Sequence, residues 1–521
     1  MGGPFHTSHF AFPISHLSYT KGCMHMPQYF SPDKGFSKEP ESYWIASSDT
    51  TNFPALEEDI TVDVAVIGGG ITGITTGFLL KKEGLTVAVV EANRVGDGTT
   101  GHTTAKITSQ HDLIYDTLIT KFGMEKAKQY ADSNEGAIKL MTQVIKENNI
   151  SCDFQTENAY VFAESDDNVD NIKKEVKAAQ SLGIKASYTE DLPLPFPIKA
   201  AVQFEGQAQF HPRKYLLALA GKVATDGSNI FENTRAVGIQ GGERCTVTLQ
   251  NGKKITASKV VIASHYPFSN IRGLYILKIF PARTYALAIK ARSKFPGGMY
   301  INVELPTRSL RSIPLNDGGE LILIVGEEHK PGQGEDFNIH YKNLMDFAHK
   351  NFDVEDIQYR WSAQDYMTAD NIPIIGNITP NEPNIYVATG FKKWGITTSA
   401  VSAMVLKDLI VNNQSPWAEV YSPARFTDLD AVWKSVEKNL NALKNGEGKV
   451  INIAERNMGA YKDDKGKIYL ININCTHMGC QLKWNNAEKT WDCPCHGSRY
   501  SSTGDVVDGP TFTPLEKIEI I

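Results

Sequence analysis

At 521 residues the chain has room for about three domains of ordinary size. Its 41% apolar and 21% charged residues are a globular balance that excludes a mainly disordered chain. A net charge of −6, with no Lys/Arg-rich block, gives nucleic acid no basic surface, and no nucleic-acid partner is expected.

The N-terminus carries four histidines and scattered prolines before Pro27, without a basic segment followed by a continuous apolar one, so it does not read as a secretory signal. No periodicity emerges before about Tyr43. Residues 1–58 are expected to form a loosely structured extension, with Met24 or Met26 as a candidate start of translation. The longest stretch poor in charge, Val64 to Leu80, contains five glycines and reads as strand, turn and helix rather than a membrane span. No transmembrane anchor is expected, and the location is expected to be cytoplasmic.

Thr61 to Glu91 reads as one βαβ unit. Val62, Val64, Val66 and Ile67 make a β-branched strand, a helix runs to about Glu83, Gly84 ends it, and Leu85–Val90 forms a second strand. Between first strand and helix stand Gly68, Gly70 and Gly73. The first permits a tight turn, the second lets a pyrophosphate approach the backbone, and the third allows helix and strand to pack closely. A pyrophosphate on this helix N-terminus would meet free N–H groups and a favourable dipole. Glu91 is placed to bond a ribose hydroxyl. The alternative is a glycine-rich turn in an α/β domain that binds nothing.

The run from Glu91 through Gly96, Gly98, Thr99, Thr100 and Gly101 resembles the FAD-binding continuation of the D-amino-acid oxidase, glycine oxidase and sarcosine oxidase family. So do the strand Thr256–Ser264 and the segment Ile385–Gly390, which leads through Trp394-Gly395 into a helix over Thr398–Ile410. The resemblance spans about residues 60–415 and implies FAD as cofactor. It also implies that Gly390 and Gly395 match family glycines at the flavin and that two insertions build a substrate domain. Helix-spaced apolar residues over Ala127–Asn148 and Asn168–Leu182, then short strands from Tyr285 to Val325, agree with such insertions.

Two residues of this half are candidates for chemistry. His102, in Thr99-Thr-Gly-His-Thr-Thr-Ala105, resembles the histidine through which some dimethylglycine and sarcosine dehydrogenases attach FAD; the alternative is an unmodified loop histidine. Arg283 could meet a substrate carboxylate in bidentate fashion, or serve in a structural ion pair.

Pro423 to Gly448 is charged and reads as a helical linker with a glycine-containing hinge. Of the seven cysteines, Cys23, Cys152 and Cys245 are scattered, while four fall between Cys475 and Cys495 among histidines. That density points to metal or disulfide chemistry. Cys475 and His477 lie in one loop, and Cys493 and His496 in another. One Cys and one His from each of two loops is what a Rieske [2Fe–2S] cluster requires, with two thiolates on one iron and two imidazoles on the other. A tetrahedral Cys2His2 zinc site uses the same donors and is the alternative.

The residues around these ligands resemble the Rieske proteins of cytochrome bc and bf complexes. The resemblance implies a disulfide between Cys480 and Cys495. It also implies hydroxyls of Ser498 and Tyr500 that donate to cluster sulfurs and raise the potential. Gly509-Pro510 matches the start of the loop that covers the cluster. Those relatives are membrane-anchored, whereas no anchor is seen here, and a disulfide in the cytosol is unusual.

Together the halves resemble the bacterial FAD-dependent oxidoreductases with a C-terminal Rieske domain. The expected fold class is an α/β FAD-binding Rossmann-type domain with an inserted α+β substrate domain, followed by a small all-β Rieske domain. The expected boundaries are 59–420 for the oxidoreductase, 421–447 for the linker and 448–521 for the Rieske domain. The function this implies is oxidation of a small amine, amino acid or related polar substrate by hydride transfer to FAD. Electrons would then pass singly through the cluster to a one-electron carrier or quinone. Reverse flow, from carrier to substrate, and a redox sensor or electron carrier without turnover are the alternatives.

Overall fold

The computed structural model describes residues 39–268, 275–331, 337–426, 438, 440–453, 456–477, 479–515 and 517–520. Residues 1–38 of the expected extension, and residues 427–437 and 439 of the expected linker, lie outside the described residues.

The strand Ile60–Ile67 owes its place to an unbroken apolar end. Val64 to Ile67 are all buried, because parallel partners flank the strand on both edges and helices cover the sheet. Its neighbours are Lys254–Ile262 and Val87–Val90, followed outward by Ile385–Thr389 and Asn229–Phe231. An antiparallel edge strand, Ile374–Asn377, and the hairpin Ala236–Gln240/Cys245–Leu249 complete this sheet. One layer is thus assembled from three separate parts of the sequence, as the expected insertions require.

The insertions supply the second sheet. Its order is 354–368, 279–291, 320–329, 308–314, 299–302, 155–163, 200–209 and 106–107. The helices Tyr115–Glu147, Val169–Ser181 and Asn338–Asn351 accompany it. The first starts earlier than the apolar spacing predicts, and Gly123 (φ 84°, ψ 165°) breaks it, so its second part corresponds to the predicted helix. The helix predicted over Asn168–Leu182 is found at Val169–Ser181.

Residues 43–58 are packed rather than loose. Tyr43, Trp44 and Leu56 are buried, the N–H of Phe53 donates to Glu232, and Asn251 donates to the Leu56 carbonyl. The apolar residues here are too few and too irregular to register as an element, yet each fills a slot on the FAD-binding layer.

The C-terminal part holds two four-stranded antiparallel sheets. One orders Glu447–Ile453, Arg456–Lys462, Ile468–Ile471 and Lys517–Ile520; the other orders Lys483–Asn485, Thr490–Asp492, Arg499–Ser501 and Val506–Asp508. Their core gathers Ile471, Ile473, Leu482, Trp491, Tyr500 and Leu515 around Cys475 and Cys493. Among the described residues no helix is long and apolar enough to cross a membrane.

Candidate functional site

Gly68 leaves the first strand at φ +116°, and a Cβ there would lie 2.5 Å from the Ala263 carbonyl oxygen. A Cβ on Gly73 would lie 1.9 Å from the Gly68 carbonyl oxygen, so only glycine lets the helix Ile71–Lys82 begin this close to the strand. Gly70, the N-cap, meets nothing closer than Thr100 Oγ1 at 3.3 Å, leaving its face open to the cavity. The three sequence-predicted glycines therefore divide into two that shape the turn and one that keeps it accessible.

Glu91 ends the second strand with both carboxylate oxygens engaged. Gly69 N–H donates to Oε2 at 2.7 Å and Asn93 N–H to Oε1 at 2.9 Å. A carboxylate oxygen has lone pairs to spare for a ribose hydroxyl beyond one such bond. Thr99 and Thr100 open the 3-10 turn Thr99–His102, and Thr100 Oγ1 accepts from Ile71 N–H at 3.1 Å, fastening the turn to the helix start. At the returning segment, Gly390 (φ +72°) is required because a Cβ would fall 2.4 Å from Thr368 Cγ2. Gly395, the first residue of the helix Gly395–Asn412, lines the cavity and meets only Phe391, at 3.8 Å.

These groups surround one cavity of about 870 Å3, which continues from the glycine turn and Glu91 to the inserted sheet, where Thr284, Ser309 and Trp361 line it. A single space joining a phosphate-binding turn, an acid at the ribose position and an apolar sheet face fits a bound dinucleotide with a substrate beside it.

His102 also lines this cavity. Its Nδ1 donates to the Gly98 carbonyl at 2.9 Å, which leaves Nε2 as the ring's unprotonated nitrogen in the neutral form. The backbone around it is pinned from a distance. Ser42 Oγ donates to the Gly101 carbonyl, Trp44 Nε1 to Thr103, Trp361 Nε1 to His102 and Arg311 to Thr104 and Ala105. Sequence reasoning missed Ser42 and Trp44, which had been assigned to the loose extension.

Arg283 is not brought to the cavity. It donates to Ser362 Oγ at 3.1 Å and Gln364 Oε1 at 3.2 Å, on the side of its strand opposite the cavity-lining Thr284. Other titratable groups on the wall went unnoticed in the sequence. Burial and the neighbouring Arg311 pull Lys106 down to about 7 while its Nζ donates to the Tyr300 carbonyl and Ser309. His111 is pushed down to about 3 by burial and lies neutral against Trp394, its Nε2 donating to the Thr108 carbonyl and its Nδ1 accepting from Tyr130.

In the C-terminal part the two loops share a backbone design. Cys475 N–H donates to the Cys480 carbonyl and Gly479 N–H to Cys475; likewise Cys493 N–H donates to Ser498 and Gly497 N–H to Cys493. Gly479 and Gly497 each take a left-handed position in their loop (φ 74° and 80°). The loops bring Cys475 and Cys493 together in the core and hold His477 and His496 at the surface, their rings 5.0 Å apart and nearly perpendicular. Two buried thiols beside two exposed imidazoles are the donor set that a [2Fe–2S] cluster would take.

The disulfide implied by resemblance is present between Cys480 and Cys495, with Cα atoms 6.5 Å apart. Cys495 is exposed, so burial does not shield it. Tyr500 OH lies 3.2 Å from Cys475 Sγ and 3.0 Å from Thr476 Oγ1, and accepts from Thr476 N–H at 3.1 Å, which leaves its proton for one of these two neighbours. Burial raises the Cys475 thiol, but bonds from Tyr500, the His477 backbone, Cys493 and Ser498 outweigh it, and its pKa falls below the ordinary value. Ser498 Oγ also accepts from Thr511 N–H. Thr476, absent from the predicted site, donates to the Thr513 carbonyl at 2.6 Å and so ties the ligand loop to the segment after Gly509-Pro510.

Residues 63–409 match the family described as FAD dependent oxidoreductase, and residues 433–519 match the Rieske [2Fe-2S] domain. The chain is 42% identical to the Rieske 2Fe-2S iron-sulfur protein YhfW of Bacillus subtilis over 504 residues, covering 93% of this chain and 99% of that one. It is 23% identical to gamma-glutamylputrescine oxidoreductase of Escherichia coli, covering 72% and 89%. Among solved structures, glycine oxidase from Geobacillus kaustophilus superimposes with a TM-score of 0.58 at 19% identity, covering 68% of this chain and 96% of that one.

Proposed function

The chain belongs to the FAD-dependent oxidoreductase family and carries a Rieske [2Fe–2S] domain, and from that premise we propose that it oxidises a small amine or related polar substrate and delivers the electrons to an external carrier. The FAD that the family implies supplies two-electron oxidation, and the cluster supplies one-electron delivery to a carrier protein or quinone. The observation that carries the reading is the continuity of one cavity from the dinucleotide turn to the inserted sheet, in a chain that also presents the Rieske donor set.

The chain's own residues divide the work. Gly68, Gly70 and Gly73 shape a turn on which a pyrophosphate would rest, Glu91 would receive a ribose hydroxyl, Thr99, Thr100 and Gly395 would line the path of the flavin half, and Gly390 shapes the returning segment beside Thr368. The inserted sheet forms the wall of the substrate side, where Thr284, Ser309 and Trp361 line the cavity. Cys475, His477, Cys493 and His496 would ligate the cluster, and Ser498 and Tyr500 would donate hydrogen bonds that tune it. Cys480 and Cys495 tie the ligand loops together.

Cys475→Ser tests the division of labour. It removes an iron ligand and leaves the cavity untouched, so substrate-driven flavin bleaching persists while reduction of a one-electron carrier is lost. Unimpaired carrier reduction in this variant would sink the proposal.

A further inference from the structure

The strand Val354–Thr368 passes along the cavity with Trp361, Ala363, Asp365 and Met367 turned into it, every second residue as the pleat dictates. Ser362 and Gln364 point the other way and hold Arg283. The strand pair that was expected to offer a substrate a guanidinium therefore offers it a carboxylate.

Asp365 differs from the other charged groups on this wall. No hydrogen bond or ion pair reaches its carboxylate among the described residues. The basic groups that act on it are engaged elsewhere: Lys393 is paired with Glu328, and His265 donates its Nε2 proton to the Gln364 carbonyl. Burial holds the Asp365 carboxyl above the usual carboxylate range, the mark of an anion with no adequate counterpart. Asp365 is half-buried in the cavity wall, and an unpaired, partly desolvated carboxylate is costly, a cost that is offset when a cation arrives.

Anionic substrates meet a poorer reception. Arg311 donates to the carbonyls of Ser312, Thr104 and Ala105. Arg94 and Arg235 line the cavity at its Glu91 end, where Thr234 N–H donates to the Glu91 carbonyl. Lys106 is occupied by Tyr300 and Ser309, and Lys392 already faces the carboxylates of Asp112, Glu328 and Asp370. Among the described residues, no guanidinium faces the inserted-sheet end of the cavity.

We propose that Asp365 anchors a protonated nitrogen of the substrate, and that the substrate is an organic cation, a mono- or polyamine, rather than an amino acid held by its carboxylate. This deepens the amine-oxidation reading and rests on it for the class of ligand. Asp365 acts as the specificity-determining group.

The test is a binding titration on the oxidised, FAD-loaded full chain, read from flavin difference spectra with propylammonium, tetramethylammonium and propionate as probes. Wild type binds both cations and not propionate. Asp365→Asn weakens both cations by about thirtyfold or more, as removal of one partner of a desolvated charge pair does. Asp365→Glu, which retains the charge, keeps cation binding and guards against a variant that merely misfolds. Cation binding by Asp365→Asn equal to wild type, preference of wild type for propionate, or no binding of any probe each overturns the proposal. Because no turnover is needed, the two readings fail separately. Cations that bind through Asp365 but never reduce the flavin count against amine oxidation alone. Amines that reduce the flavin equally in Asp365→Asn count against the anchor alone.

Discussion

Replacing Gly73 and Gly70 by alanine, one at a time, separates the structural from the ligand-facing part of the glycine turn. At Gly73 the new Cβ falls 1.9 Å from the Gly68 carbonyl oxygen, a backbone atom that no side-chain rotation can move. Real Cβ contacts essentially never fall under 3.0 Å, so helix start and strand end must part by at least 1.1 Å. Alanine gains about 1 kcal/mol of helix propensity over glycine, whereas overpacking of a tight site costs about 1–3 kcal/mol and here meets backbone. Because the overlap is with backbone, the cost falls at the upper end of that range, and the net loss is up to about 2 kcal/mol. The same displacement carries the helix N–H groups away from the pyrophosphate position, so FAD affinity falls by about tenfold or more. At Gly70 the backbone (φ −76°, ψ 179°) suits alanine and the nearest atom is 3.3 Å away. Stability there changes by only about 0.5 kcal/mol through the weaker N-cap, while the methyl group occupies the phosphate approach and FAD binding still weakens. The assays are urea midpoints of the far-ultraviolet circular dichroism of flavin-free protein and FAD titration by flavin fluorescence. A Gly73→Ala protein with wild-type midpoint and affinity would refute the reasoning, as would Gly70→Ala losing as much stability as Gly73→Ala.

Other outcomes follow from the same geometry. Tyr500→Phe removes one hydrogen bond to Cys475 Sγ and lowers the cluster's midpoint potential by about 20–65 mV, the equivalent of about 0.5–1.5 kcal/mol for one electron; protein-film voltammetry reads the shift, and an unchanged potential contradicts the bond. His111 is held near 3 in the folded protein against 6.5 in the unfolded chain, so the unfolded chain takes up the extra proton as the pH falls through 6.5. The stability advantage of wild type over His111→Gln accordingly shrinks by about 2 kcal/mol between about pH 7 and pH 5; a constant gap in denaturation midpoints over that range contradicts a neutral, buried His111.

Local rules made part of this molecule readable. Turn chemistry located Gly68, Gly70 and Gly73, and strand and helix periodicity placed Ile60–Ile67 and Ile71–Lys82 nearly to the residue. Ligand spacing brought Cys475, His477, Cys493 and His496 into two loops whose matching backbone bonds depend on Gly479 and Gly497, each four residues after its cysteine. What escaped was set by contacts between distant parts of the chain. Trp44 holds the carbonyl of Thr103 across 59 residues, and Trp361 holds that of His102 across 259. The strand Val354–Thr368 hides its cavity face because most of its residues on both sides are half-buried, so no apolar alternation marks Asp365 or separates it from Gln364. The choice between the two roles offered for Arg283 stayed open for the same reason: its face depends on a strand pairing, and the shift in register between Arg283 and Tyr285 has no local signature.

The direction of electron flow is the central claim, and an anaerobic titration of the FAD- and cluster-loaded protein with a panel of amines, followed by absorbance and electron paramagnetic resonance, tests it most directly. The account predicts flavin bleaching by an amine, followed by the signal of a reduced Rieske cluster in the same sample. A cluster that a chemical reductant readily reduces, in a protein whose flavin no amine bleaches, would contradict it.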